Sequence, residues 1–425
     1  MNRENLKKIY CICVCAFFVV PLQRKEESSA MTLSIAICTL LFVFSLIFSR
    51  RRWYAPTVLL SGVWLLSLIA YAWIDHGMHP LSPAVVQAIT FWLTGFCLSA
   101  WVMQSIYIKP LFCDVPSSHT ARDIYYYLSL CTLPVMIIEV ILVIIHSGGN
   151  PFSALRDANV EGVNGIRTTA FFVLFWMVSY ILEIQVASKR NIGRIIFLLL
   201  INIFYAFISM GKMNFMILFL ASAIMLSQRR RFRLRQLFLG AGLLLLLFVG
   251  VQQLRGSYTT PKHFAALYMT SSLGNLNTNL EPRSAQAPGE NTFRLYYAIK
   301  AKIDNGKTKP VNPILEFKRV EVGEYVFGSN TYTALYPYYK DFGITGVILF
   351  AILLGGIFGY LFKTAEDGSE CALVLYAILS GTIVMQFIGD TFFTVLSQNI
   401  QYLIATVIPY IISKFHLFER NTAKQ

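Results

Sequence analysis

Apolar runs of about 20 residues recur along this chain, and no other feature limits its fold so strongly. "LSIAICTLLFVFSLIF" (33–48) and "VILFAILLGGIFGYLF" (347–362) are two of them. As a helix, such a run crosses about 30 Å of hydrocarbon. The runs do not alternate apolar with polar residues, so they predict helices rather than barrel strands. Twelve spans follow: 8–22, 31–49, 54–74, 83–108, 124–146, 168–187, 193–210, 213–228, 236–254, 343–362, 371–389 and 392–413. With 56% hydrophobic and 14% charged residues, the chain is too apolar for a soluble domain. The expected fold is an all-α, polytopic integral membrane protein. The first run, behind Lys7 and Lys8 and ending at Leu22, has the form of a signal peptide or of a short first span; it is read as retained.

Charge predicts the sidedness. The formal net charge of +14 would suggest nucleic acid on a soluble protein, but here it follows from retention of Lys and Arg on the cytoplasmic side. With both termini cytoplasmic, 20 of the 36 Lys and Arg fall in inside segments, and "QRRRFRLR" (228–235) is the strongest anchor. Only Arg24, Lys25, Arg156, Arg167 and Lys212 fall in short outside segments. The rest lie in one long loop, which does not vote because long loops cross regardless of charge. The chain therefore divides into an N-terminal membrane bundle 1–254 with an outside loop at 147–167, a large outside loop 255–342, and C-terminal spans with a cytoplasmic tail, 343–425. Within the large loop, "SLGNLNTNLEPRSAQAPGEN" (272–291) reads as turn and loop. The eight cysteines lie mostly in or beside apolar runs and read as small hydrophobes.

The motifs exclude some chemistry. There is no GxxxxGK[ST] loop, HExxH, CxxC or Asp-x-Asp pair, so ATP hydrolysis and metal-dependent transfer from nucleotide sugars find no support. The positive signal is cationic side chains on the outside, where they are normally avoided. "NPFSALRDANVEGVNGIR" carries Arg156 and Arg167, "VQQLRGSY" carries Arg255, "SMGKMN" carries Lys212, and Arg294 lies further along the large loop. Guanidinium forks bind phosphate bidentately and ammonium adds a point charge. The same residues also suit interfacial snorkelling.

Two acids stand out. Glu139 in "VMIIEVILVIIH" lies within an apolar helix, with His146 on the same face. It is either a functional acid or half of a buried hydrogen-bonded pair; Asp390, near the end of another span, is read the same way. "NTYTALYPYYKDFGITG" (330–346) holds Asn330, Tyr332, Tyr336, Tyr338, Tyr339 and Asp341 directly before a span. The tyrosines form either an interfacial belt or a platform that stacks and hydrogen-bonds sugars. Asp341 is either a general base or the cap of the helix that starts around Gly343.

These stretches, with "GSNTYTALYPYYKDFGITGVILFAILLGGIFGY" (328–360) after one large late loop, resemble the Wzy-type oligosaccharide repeat-unit polymerases, or O-antigen polymerases. The motif-level likeness covers mainly 150–167, 205–215 and 323–360. It implies an inverting, metal-independent glycosyltransferase of the GT-C type in the bacterial inner membrane, with no cofactor and no nucleic-acid partner. Its substrate would be an undecaprenyl-diphosphate-linked oligosaccharide, its partners a chain-length regulator and a flippase. The family's loop arginines carry over to Arg156, Arg255 and Arg167. Lys212 stands where relatives often have arginine, keeping the charge and losing the fork. An O-antigen ligase and a flippase or exporter of the same lipid-linked glycan are the alternative readings.

Overall fold

The computed structural model describes residues 27–106 (apart from 75 and 77), 116–147, 167–209, 212–229, 261–311, 318–322 and 325–422, with scattered positions in 151–158 and 235–250. In chain order the described helices are α1 (Glu27–Phe48), α2 (Pro56–Trp73), α3 (Pro83–Ser105), α4 (His119–Ile145), α5 (Arg167–Gln185), α6 (Ile192–Ile208), α7 (Lys212–Gln228), α8 (Pro261–Asn279), α9 (Arg294–Ile303), α10 (Leu335–Glu366), α11 (Glu370–Val384) and α12 (Leu396–Thr422). A hairpin, β1 (Lys318–Val322) with β2 (Tyr325–Ser329), precedes α10 and pairs Lys318 with Ser329 and Val322 with Tyr325. Six described segments are long and apolar enough to cross a membrane: Met31–Phe48, Pro56–Trp73, Pro83–Ser105, His119–Ile145, Leu335–Glu366 and Glu370–Phe387. The protein is thus a predominantly helical membrane protein. The expected run 8–22 lies outside the described residues, and 236–254 is described only at scattered positions.

Helix starts follow local sequence. Ser82 and Ser118 sit at the N-caps of α3 and α4, where their hydroxyls accept from the Val85 and Ala121 N–H groups. Pro56 and Pro83 occupy first turns, where a missing N–H costs nothing. The α1–α2 turn carries Arg50 and Arg51 at φ 53° and 62°, with the Ser49 hydroxyl bridging the Leu46 and Arg52 carbonyls.

The chain forms two compact units. The first joins Met1–Ile108, Lys262–Lys363 and Thr382–Leu396. Its seam is the contact of α3 with α10. A Cβ on Gly355 would lie 2.2 Å from the Phe96 carbonyl oxygen, and one on Gly359 would lie 2.6 Å from that of Ala100. The two backbones therefore touch across a small-xxx-small face, which is how helices associate where lipid removes the hydrophobic drive. Trp64, Trp92, Phe96 and Phe358 fill the interior.

The second unit joins Lys109–Pro261, Thr364–Gly381 and Ser397–Gln425. Trp176 donates to the Thr132 hydroxyl at 2.8 Å, and Tyr125 donates to the Ala405 carbonyl at 2.6 Å. Arg194 pairs with Asp123 and lies 3.7 Å from the almost fully buried Glu183, whose other oxygen accepts from Asn191. Arg194, expected to be an inside anchor, also works as a clamp between α4, α5 and α6.

The segment expected to be one long loop carries its own structure. Residues 272–279 of the expected turn-and-loop stretch are helical and finish α8. Small polar side chains of α8 point inward: Thr270, Ser271, Ser272 and Asn275 are all buried. Tertiary partners explain why a sequence rich in Ser, Asn and Gly holds a helix here. Ser272 donates to the Phe387 carbonyl at 2.5 Å, and Asn275 donates to the carbonyls of Thr331 at 2.9 Å and Ser329 at 3.2 Å. Asn277 accepts from the Ser82 N–H and donates to the Pro80 carbonyl. The helix is a strut that ties together the 80–82 turn, the 329–331 segment and the end of α11.

Candidate functional site

The strut fixes the backbone from which the tyrosine segment starts. The N–H groups of Tyr332 and Thr333 bond the Ile388 carbonyl at 3.1 and 3.0 Å, and that of Ala334 bonds the Gln386 carbonyl at 2.7 Å. The short helix Leu335–Phe342 follows and ends at Gly343, whose φ of 68° and ψ of −156° only glycine adopts readily. The break lets the short helix leave the axis of the membrane helix that continues to Glu366.

The tyrosines are not displayed at the surface. Tyr332, Tyr336 and Tyr338 are buried and Tyr339 is half-buried. Tyr332 stacks on Tyr336 at 4.3 Å, and the Lys340 ammonium lies 5.3 Å over the Tyr336 ring while donating to its hydroxyl. Tyr338 is sandwiched between Trp92 at 5.4 Å and Phe350 at 4.4 Å, with Phe393 edge-on. Trp92 is itself fixed by a 2.9 Å bond to the Gln386 side chain. The reading as an interfacial belt or an open sugar platform gives way to a packed aromatic core. The partners that bury these rings lie far away in sequence. Asn330 is half-buried at the start of the segment.

Asp341 does not cap the helix after Gly343. It is buried, and its oxygens accept from the Asn291 side chain at 2.7 Å, the Thr292 N–H at 2.8 Å and the Thr292 hydroxyl at 2.7 Å, with the Asn291 N–H at 3.4 Å. None of these four donors belongs to the helix after Gly343. The carboxylate instead pins the 291–292 turn against α10. Two residues on, α9 begins at Arg294, whose Nε donates back to the Asn291 carbonyl at 3.1 Å. Asp341 therefore positions Arg294.

Arg294 lies within electrostatic reach of Asp390 and the Tyr338 hydroxyl. Asp390 accepts from the N–H groups of Phe392 and Thr394, each at 2.9 Å, and so shapes the turn into α12. Burial lifts its carboxyl above the ordinary range, against the opposing pull of those N–H groups, Tyr338 and Arg294. The Tyr338 hydroxyl is fully buried and close enough to Asp390 to favour its charge, yet it meets no correctly directed hydrogen-bond partner. An arginine, a carboxyl whose proton affinity burial raises, and a buried phenol thus converge near the start of α10 and the turn into α12. Such a trio can hold an anionic group and take a proton from a hydroxyl.

The other candidates are dispersed. Glu139 is half-buried in α4; His146 is exposed, its Nδ1 2.7 Å from the Leu142 carbonyl oxygen. Arg167 and Lys212 open α5 and α7, with their side chains outside the described set. Arg156 and Arg255 lie outside the described residues. Sequence reasoning noticed Asp390 only as an acid near a span end; the missing signal was its meeting with Arg294 and Tyr338, which only the tertiary fold supplies. No family model matches this chain, and no curated protein or solved structure matches it either, so its chemistry is read from its own geometry.

Proposed function

We propose that this protein polymerises lipid-diphosphate-linked oligosaccharide repeat units as a metal-independent, inverting glycosyltransferase. The observation that carries the reading is Arg294, held by the Asp341-pinned turn beside Asp390 at the ends of membrane-spanning helices. A donor anchored in lipid presents its diphosphate at that level. In the step, the acceptor hydroxyl forms a C–O bond at the anomeric carbon while the bond to the diphosphate oxygen breaks. The electron pair leaves on the diphosphate, which Arg294 stabilises, and the hydroxyl proton passes to Asp390. Arg156, Arg167, Arg255 and Lys212 are the further cations of this reading, and Glu139 a further acid. In the same reading both termini are cytoplasmic, 255–342 faces the periplasm, and the fold is a GT-C-type bundle of twelve spans in the inner membrane.

Gel profiling of surface glycan in a strain lacking the protein tests it. A polymerase leaves single-repeat products; a ligase leaves unmodified core with no single repeats attached, which is the result that rejects the reading. Complementation with Arg294→Ala should restore only single repeats. Arg294→Lys should recover part of the ladder, because it returns the charge without the fork.

A further inference from the structure

Helix α9, "RLYYAIKAKI", buries no residue completely and turns an apolar stripe away from the protein. Tyr296, Ile299 and Ile303, three and four residues apart on one face, are 61%, 50% and 77% exposed. The opposite face, with Arg294, Tyr297, Ala298 and Ala301, is half-buried. Lys300 and Lys302 flank the stripe on its two sides, and both are exposed. The chain then turns at Asn305 and Gly306, both at positive φ, and presents Lys307 and Lys309. The intervening acid, Asp304, is folded back onto Thr308, accepting from its N–H and its hydroxyl.

The root of the helix fixes its depth. Phe293, the residue before α9, lies 6.2 Å from Phe342, 5.9 Å from Phe350 and 6.5 Å from Phe393, ring to ring. Phe350 belongs to the first turns of the membrane-spanning part of α10, beside Leu349, which is turned outward. The exposed stripe of α9 therefore starts one turn after a ring that packs on the first turns of an apolar helix long enough to cross a membrane. A water-exposed helix gains nothing from Ile at two outward positions. At a bilayer surface the same pattern is favourable, with apolar side chains among upper acyl chains and lysines snorkelling to phosphates.

We propose that α9 lies in the interfacial plane of the bilayer, with Tyr296, Ile299 and Ile303 among the acyl chains and Lys300, Lys302, Lys307 and Lys309 on anionic lipid phosphates. This surface is independent of the catalytic reading, since it lies on the face of α9 opposite Arg294.

A nitroxide at Ile303→Cys, in the full chain with its other cysteines replaced, tests the placement in nanodiscs containing phosphatidylglycerol. Collision with oxygen should exceed collision with a water-soluble nickel chelate, as at Leu349→Cys, and Asn305→Cys should show the reverse. Ile299→Cys serves as a second outward position. Adding Lys300→Glu and Lys302→Glu, or using phosphatidylcholine alone, should shift Ile303→Cys toward the chelate. Each lost lysine contact corresponds to about fivefold in occupancy. Greater access to the chelate in anionic nanodiscs would place the helix in water and overturn the proposal. Protection from both reagents would mean that protein covers the stripe, which overturns it equally.

Discussion

At the residue scale the informative group is Asp390. Burial raises its affinity for a proton, so the folded protein holds that proton to higher pH than the unfolded chain does. Its contribution to stability is therefore fully present below the ordinary aspartate pKa of about 3.9 and is lost as pH rises through the raised value. Asp390→Asn resembles the protonated form. Thermal unfolding in detergent should show the variant at least as stable as the parent at neutral pH, while turnover falls about 10²–10⁴-fold. The parent's activity should fall on acidification with a midpoint above that of a free aspartate. A variant that turns over normally removes Asp390 from the reaction. Tyr338→Phe separates structure from chemistry in another way. Its buried hydroxyl lacks a directed partner, so deleting it should leave stability unchanged or raised. Shortened glycan at unchanged melting temperature would place the hydroxyl in the site. A lowered melting temperature would reveal a structural hydrogen bond instead.

At the scale of elements, glycine geometry decides where the short helix 335–342 meets its long continuation. Gly343→Ala puts a Cβ on a backbone with φ 68° and ψ −156°. The cost should be about 1–3 kcal/mol, read as a lower melting temperature, although no side chain was removed. Ala in place of Gly356, where the nearest atom to a new Cβ is 4.0 Å away, should be tolerated and serves as the control. Legibility differed by element for physical reasons. The long apolar helices showed in the sequence because lipid or core contacts them from every side, as in "VILFAILLGGIFGYLF". Helix α8 did not, because Ser272, Asn275 and Asn277 satisfy carbonyls and N–H groups that only the folded chain brings near. The tyrosines misled for the same reason: Tyr338 reads as an interfacial ring until Trp92 and Phe350 close on it. The partners of Asp341 lie on the 291–292 turn, beyond any local pattern.

At the scale of the whole molecule, the distribution of Lys and Arg sets the orientation to be tested. A phosphatase fused after Arg283 should be active in the periplasm, and one fused after Arg231 inactive. The opposite pattern would invert the topology and, with it, the side on which Arg294 would meet the proposed lipid-linked donor.

The seam between α3 and α10 also bears on how the protein is made. Phe96 and Ala100 leave the ribosome long before Gly355 and Gly359 do, and α4 to α9 are synthesised in between. Until then the face of α3 that α10 covers lacks that partner. Because the closed seam has no room for a methyl group at Gly355 or Gly359, a lipid tail left in the groove cannot be accommodated and must be expelled before the first unit locks.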